Sequence, residues 1–542
     1  NDMSEGGLTA ELEAIREDVK ARFEAQKRVL SFREYLELVH ENPRRYTRDA
    51  SRYLKDCMDH FGSYEVERPS GTFKRWRVFD LELGRANSGH QAELKLRDRL
   101  AGQEATQTTF HRILDGFERE GRANRLVLLH GPNGSAKSTF VACLMRGLEA
   151  YSDTDEGALY RFSWIFPRAR EGSGIGFTTP SDELGQADSF AHLPEDRIIA
   201  KLQSSVREHP LLLLPRDVRQ KLVAGAYEAA GVSEAAPDWV WTGQLARKNQ
   251  QIFQALLTAY RGDLERVLAH IQVERFYVSR RYRVGAVTIG PQMSVDASER
   301  QITADRSIES LPASLSALTL FEPFGELVDA SGGIVEFSDL LKRPLEAWKY
   351  LLLAIENGEV SLQMSNLPIN AVMVASSNEL HLSAFRQHPE YNSFRGRIVR
   401  IRMGYLLDVH REQEIYDGQI VPQIPKHVAP HTTYVAALWS VLTRLRKPDA
   451  SRYSNSDVGT IVASLTPLEK ADLLADGTVP SRFDADQGKL LAGAVAEVER
   501  EGTSVSDYEG ISGASPREIR MLLLDAAADY DEACVSPVTL LQ

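Results

Sequence analysis

In SFREYLELVH, residues 31–40, the apolar positions Phe32, Tyr35, Leu36, Leu38 and Val39 recur at helical spacing. The surrounding text from Leu8 to about Phe61 is charged and nearly free of glycine, which predicts a small helical amino-terminal region. From Ser63 to about Ser88 polar and aromatic residues mix without a clear period, and a linker lying over the next domain is expected there. From about Gln91 helical stretches alternate with short β-branched runs: RLVLLH at 125–130, GGIVEF at 332–337, NAVMVASSNE at 370–379 and RIVRIRM at 397–403. Helices set between buried strands predict an α/β fold on a parallel sheet. Residues 150–265 interrupt the alternation, first with GSGIGFTTPSDELG and then with helical text, so an insertion is expected within the α/β unit. After Leu407 the pattern is helical and charged, with breaks at Pro422, Pro425, Pro430 and Pro448, which predicts a carboxy-terminal helical domain. The expected divisions are therefore 1–88, 89–410 and 411–542.

At 542 residues the chain is long enough for several compact units. Its charge of −12 provides no global positive field, so nucleic acid is not expected as the main partner. Three cysteines, Cys57, Cys143 and Cys534, with no Cys-x-x-Cys pair argue against a disulfide framework or a zinc site. The longest apolar runs, such as Leu126–Leu129, are far shorter than the roughly 18 residues a membrane helix needs. The acidic amino terminus does not read as a secretory signal, and a cytoplasmic protein is expected.

The strongest chemical signal is GPNGSAKST, residues 131–139, between an apolar strand and helical text. It follows G-x-x-x-x-G-K-[ST] at Gly131, Lys137 and Ser138, with Ala136 in place of the second fixed glycine. Small residues let such a loop turn tightly, so that the backbone from Gly131 and Pro132 through Asn133, Gly134, Ser135 and Ala136 to Thr139 cradles phosphates. Lys137 is expected to reach the β- and γ-phosphates of ATP, and Ser138 to bind Mg²⁺. Hydrolysis also needs a carboxylate at a neighbouring strand end. Glu336 sits at such an end in GIVEFSD, with Val335 where an aspartate is usual and Asp339 as a possible helper for Mg²⁺. Taken alone, Glu336 has a solvated acid at a helix start as its lesser alternative. Asn378, after the strand 371–375, is placed to orient water or to serve as a turn residue. Arg397, with Arg395 as fallback, precedes a further strand, where it could reach a neighbouring subunit's γ-phosphate or be a plain surface residue. Arg517 follows a helix start at Ser515 and Pro516 and is a candidate phosphate sensor.

In this order the pieces resemble the AAA+ ATPases, and LAGQEATQTTF at 100–110 resembles the segment those proteins place near adenine. More narrowly, SFREYLELV, FYVSRRYRVGAVTIGPQ (276–292), RQITADRS (300–307) and SGGIVEFSDLLKRPLEAWKYLL (331–352) resemble the bacterial PrkA family of AAA+-type serine protein kinases. The resemblance implies an AAA+ P-loop core with a helical lid, ATP and Mg²⁺ as cofactors, and catalytic roles for Lys137, Glu336, Asn378 and Arg397. It also implies a homo-oligomer such as a hexameric ring, a protein substrate, and a place in stress or starvation signalling. Where many family members carry paired cysteines, this chain has Ala246 to Asn249, so no metal site is carried over. Neither H-R-D-x-x-x-x-N nor D-F-G occurs, so phosphorylation of serine rests on the resemblance alone. An ATP-dependent protease, a remodelling motor and a nucleotide-dependent switch remain the alternatives, although neither H-E-x-x-H nor G-x-S-x-G is found.

Overall fold

The computed structural model describes residues 16–18, 20, 21, 26, 28–81, 99–168, 189–291, 296–302, 318–501, 508–528 and 533–541. GSGIGFTTPSDELG, residues 303–307 of RQITADRS and the stretch 82–88 lie outside the described residues.

The four apolar runs read from the sequence, joined by Ala286–Ile289, become the strands of one parallel sheet: β1 (Leu126–His130), β2 (Ala286–Ile289), β3 (Gly333–Phe337), β4 (Ala371–Ser377) and β5 (Ile398–Arg402). Their order is β5-β1-β4-β3-β2, and every neighbouring pair is parallel. β1, β3 and β4 are buried at every position, as expected of strands covered on both faces. Alternate residues point to opposite sides. Val127, Leu129, Ile334, Val372 and Val374 pack with Phe110 of α1 (Glu104–Glu120) and with Phe140 and Leu144 of α2 (Lys137–Asp153). Leu126, Leu128, Val335, Phe337 and Met373 pack on the other face with Trp348, Leu351 and Phe385, the last from α3 (Glu379–Gln387).

Between α2 and β2 the chain builds a second, antiparallel sheet from Leu159–Pro167, Ile198–Gln203 and Ile271–Phe276, and Val29–Ser31 joins it from the amino-terminal side. Its core gathers Phe162, Trp164 and Val273 with Tyr35 and Leu38 of the helix Phe32–Glu41. Arg207 ties this part to the parallel sheet, because its Nη1 donates to the carbonyls of Val328, Asp329 and Ser331, just ahead of β3.

Where the sequence predicted a linker, Ser63–Arg68 and Gly71–Trp76 form a two-stranded hairpin. Most of it faces solvent, and only its end turns inward: Trp76 stacks on His111 of α1 with ring centroids 4.0 Å apart. A strand pair that buries so little leaves no clear apolar alternation. The carboxy-terminal part is helical, with α4 (Val409–Ile415), α5 (Thr432–Arg444) and α6 (Pro516–Ala528) packed through Val409, Ala437, Val441, Ile519 and Leu523. Among the described residues no helix is long and apolar enough to cross a membrane.

Candidate functional site

β1 runs into the loop Gly131–Ala136, and α2 starts at Lys137. Gly131 is dictated by space, since a Cβ there would lie 1.9 Å from the Met403 carbonyl oxygen. Gly134 holds φ +88°, the left-handed region that suits glycine. Ala136 also lies there, at φ 67° and ψ 19°, and so adopts a glycine conformation with an alanine side chain. The Lys137 ammonium donates to the carbonyls of Gly131 (2.9 Å) and Pro132 (2.7 Å) and to Ser135 Oγ (3.3 Å). Burial pushes this group down to about 8, against the opposing pull of Asp339 and Glu379. Ser138 is exposed beside it.

The loop forms one wall of a cavity of about 490 Å³, lined by Asn133 to Thr139, by Leu100, Ala101 and Gln103, by Asp339 and Ser376, and by Tyr405 and Arg517. It lies at the carboxyl ends of the strands, where open parallel sheets take their ligands. Arg517 reaches the loop closely, its Cγ lying 3.7 Å from where a Gly134 Cβ would sit. The segment expected near adenine, at 100–110, therefore does contribute to the cavity.

Glu336 is 4% exposed on β3. Its Oε2 accepts from Thr288 Oγ1 of β2 at 2.8 Å, while Oε1 is buried without a hydrogen-bond partner among the described residues. Burial raises its carboxyl above the usual range, and Asp339 adds to the rise. Asp339 follows β3 into the cavity, its backbone N–H donating to Ser376 Oγ at 3.0 Å and its carboxylate accepting from Lys342 at 2.6 Å.

Neither Asn378, at the carboxyl end of β4, nor Arg397 lines the cavity. The Asn378 side-chain oxygen accepts from the His381 N–H at 2.9 Å and caps α3. The Arg397 carbonyl accepts from the N–H of Leu126 at 2.9 Å, so this residue lies beside the start of β1, at the far end of the strands from the loop. Its guanidinium donates to Glu356 at 2.7 Å. Arg395 is exposed and has no hydrogen-bond or ion-pair partner among the described residues.

Sequence reasoning missed the groups that reach the loop from a distance. Tyr405 donates from its hydroxyl to the Asn133 carbonyl at 2.6 Å. His130, at the end of β1, pairs with Glu379 at 2.6 Å, and Glu379 also accepts from Tyr508 at 2.8 Å. Only the adjacency of Glu379 to Asn378 offered any signal.

The residues present suit a nucleoside triphosphate with Mg²⁺. The tight glycine turn leaves backbone room at the loop, and the buried lysine has only neutral oxygens as hydrogen-bond partners. Ser138 and Asp339 line the cavity, whereas Glu336 is not among its lining residues. No group of three or more His, Cys, Asp or Glu among the described residues is placed to hold a metal ion unaided.

A central strand entering this loop, an acid just after β3 and a cavity lined by Arg517 at the start of α6 are the arrangement of an AAA-type P-loop domain. The family described as PrkA AAA domain matches residues 30–452, and the chain belongs to that family. It is 27% identical over 426 residues to "ATP-dependent protease PrkA" of Bacillus subtilis (strain 168), covering 78% of this chain and 55% of that protein. With "Serine/threonine kinase YeaG" of Escherichia coli (strain K12) it shares 30% identity over 131 residues, covering 23% of this chain and 20% of that protein. The chain thus spans about half the length of the first relative and a fifth of the second. A crystal structure of NtrX from Brucella abortus with ADP aligns over 77% of this chain and 67% of its own at 11% identity, with a TM-score of 0.23.

Proposed function

We propose that this chain binds ATP at the loop 131–139 and hydrolyses it, spending the reaction on a protein substrate. The observation that carries the reading is a cavity in which Asp339 lies across from a loop whose lysine ammonium, among the described residues, donates only to neutral oxygens. On this reading Glu336, whose carboxyl burial raises, is the proton acceptor for the attacking water or hydroxyl, and Asp339, which unlike Glu336 lines the cavity, is the acid that would stand in for it. Lys137 and Arg517 face the phosphates from two sides and offset the charge that spreads over the transferring group. Ser138, Glu336 and Asp339 are the groups that would hold Mg²⁺, which would supply Lewis-acid chemistry there.

Glu336→Gln keeps the shape of the side chain and removes the base. It is expected to retain ATP binding and to lose about 10²–10⁴-fold in hydrolysis. Full activity in that variant would assign the base elsewhere.

Serine protein kinase activity is our reading of what the reaction does. The name of the Bacillus subtilis relative, which aligns over 78% of this chain, supports a second reading as an ATP-dependent protease. Incubation with γ-labelled ATP and casein separates the two: label on casein supports the kinase, cleaved casein the protease, and free phosphate alone a motor or switch.

A further inference from the structure

The exit from β5, the helix α4 and the start of α6 meet at one buried side chain, Arg444, the last residue of α5, which is 2% exposed. Its Nη1 donates to the Leu406 carbonyl at 2.8 Å. Nε and Nη2 donate to the Ala514 carbonyl at 3.0 and 2.7 Å, and Nη2 also to Glu412 Oε1 at 2.6 Å. The guanidinium lies over the ring of Tyr405, 4.9 Å from its centroid, and Tyr405 in turn holds the Asn133 carbonyl of the loop.

The same clamp grips the other side of Ala514. Its N–H donates to Thr443 Oγ1 at 2.9 Å. At Gly513 a Cβ would lie 2.7 Å from the Thr443 carbonyl oxygen and 2.8 Å from Arg444 Cγ, so the chain passes there only as glycine. Directly after Ala514, Ser515 and Glu518 close a reciprocal cap, with the Ser515 N–H donating to Glu518 at 2.7 Å and the Glu518 N–H to Ser515 Oγ at 3.3 Å. The helix so started presents Arg517 to Gly134 on its first turn.

A fully buried ion pair is weak evidence for stability, because desolvation offsets much of its attraction. What this guanidinium supplies is geometry: one rigid fork measures the spacing between the exit of β5, which touches the loop through Tyr405, and the residue that precedes the α6 cap. We propose that Arg444 is the positioning residue for Arg517, setting its place opposite the phosphate loop. This rests on the reading of Arg517 as a phosphate contact.

The test is equilibrium binding of a non-hydrolysable ATP analogue with Mg²⁺ to wild type, Arg444→Lys, Arg517→Ala and the double variant, beside thermal unfolding of each. Lysine keeps the charge next to Glu412 but has no planar fork to span two carbonyls. Each single variant is expected to weaken binding about tenfold, with the double variant no weaker than Arg517→Ala, since coupled residues do not add. Thr443→Val, at an exposed position, removes the hydroxyl that accepts from Ala514 and donates to the Ser440 carbonyl one turn back in the same helix. A loss of about threefold is expected from it, vanishing in the Arg517→Ala background, and this arm decides the matter if Arg444→Lys fails to fold. Losses that add to that of Arg517→Ala, or wild-type affinity in both clamp variants, would overturn the inference. If Arg517→Ala itself bound as wild type, the phosphate role of Arg517 would fall first and the inference with it.

Discussion

Ala136 holds a left-handed conformation that costs an L-residue about 1–2 kcal/mol and glycine almost nothing. Part of that relief is offset by the greater freedom of glycine in the unfolded chain. Ala136→Gly is therefore expected to stabilise the protein by about 0.5–1 kcal/mol, read from the midpoint of chemical denaturation; an unchanged or lower midpoint would mean the loop carries no strain there. Lys137 makes a second case. Its ammonium titrates at about 8, below its ordinary 10.5, so between these values the unfolded chain binds more protons and stability rises with pH. Phosphates beside the ammonium reverse the shift. Nucleotide binding is then expected to take up about one proton near pH 9, with affinity falling as pH climbs above 8. Calorimetry in buffers of different ionisation enthalpy measures this uptake. Lys137→Arg, permanently charged, should abolish it.

At the scale of elements, Asn378 is a helix cap before it is anything else. Removing its side chain by Asn378→Ala is expected to cost about 1 kcal/mol of stability, whereas Asn378→Ser, which still caps, should restore most of it. If hydrolysis also returned with serine, the cap alone would account for the residue; if only stability returned, the amide itself would be acting on water. The strands 126–130, 333–337 and 371–377 were legible because buried parallel strands are near-continuous apolar runs, the half-exposed edge strand 398–402 because of its β-branched residues Ile398, Val399 and Ile401, and the phosphate loop because its residue types serve one purpose. β2 was legible only inside a string quoted for its family resemblance. The antiparallel strands 159–167 and 198–203 were hidden in text read as an insertion at 150–265, and 271–276 in the stretch just after it. Tyr405, Glu379 and Arg444 were invisible for a different reason: each acts through a partner distant in the chain, and no local period records such a pairing.

For the whole molecule, the position of Arg397 decides what it can do. It stands at the amino end of the sheet, across the strands from its own loop, so any contact with a γ-phosphate must be made in another subunit. We expect activity to require a homo-oligomer, with a hexameric ring as the arrangement its family resemblance implies. Arg397→Ala and Lys137→Ala should each be inactive alone and recover hydrolysis when mixed, because each retains the half the other lacks. Arginine fingers contribute about 10³–10⁵-fold, so even a minority of restored interfaces would be measurable. Full-rate hydrolysis by a dilute monomer in light scattering would exclude the contact and return Arg395 and Arg397 to the surface.

The strand order also governs how the protein comes off the ribosome. β1 is complete once residue 130 is made, yet its two neighbours are residues 371–377 and 398–402, with three of the four strands of the antiparallel sheet translated in between. Through that interval Leu126–Leu129 is an apolar strand with both edges unpaired, the kind of segment that recruits other chains before its own partners arrive. Arg125 before it and His130 behind it are the polar residues that flank the run, in the place where natural sequences set gatekeepers against aggregation. Closing distant segments into one sheet is intrinsically slow, so the strand that leads into the phosphate loop is among the first made and the last to be enclosed.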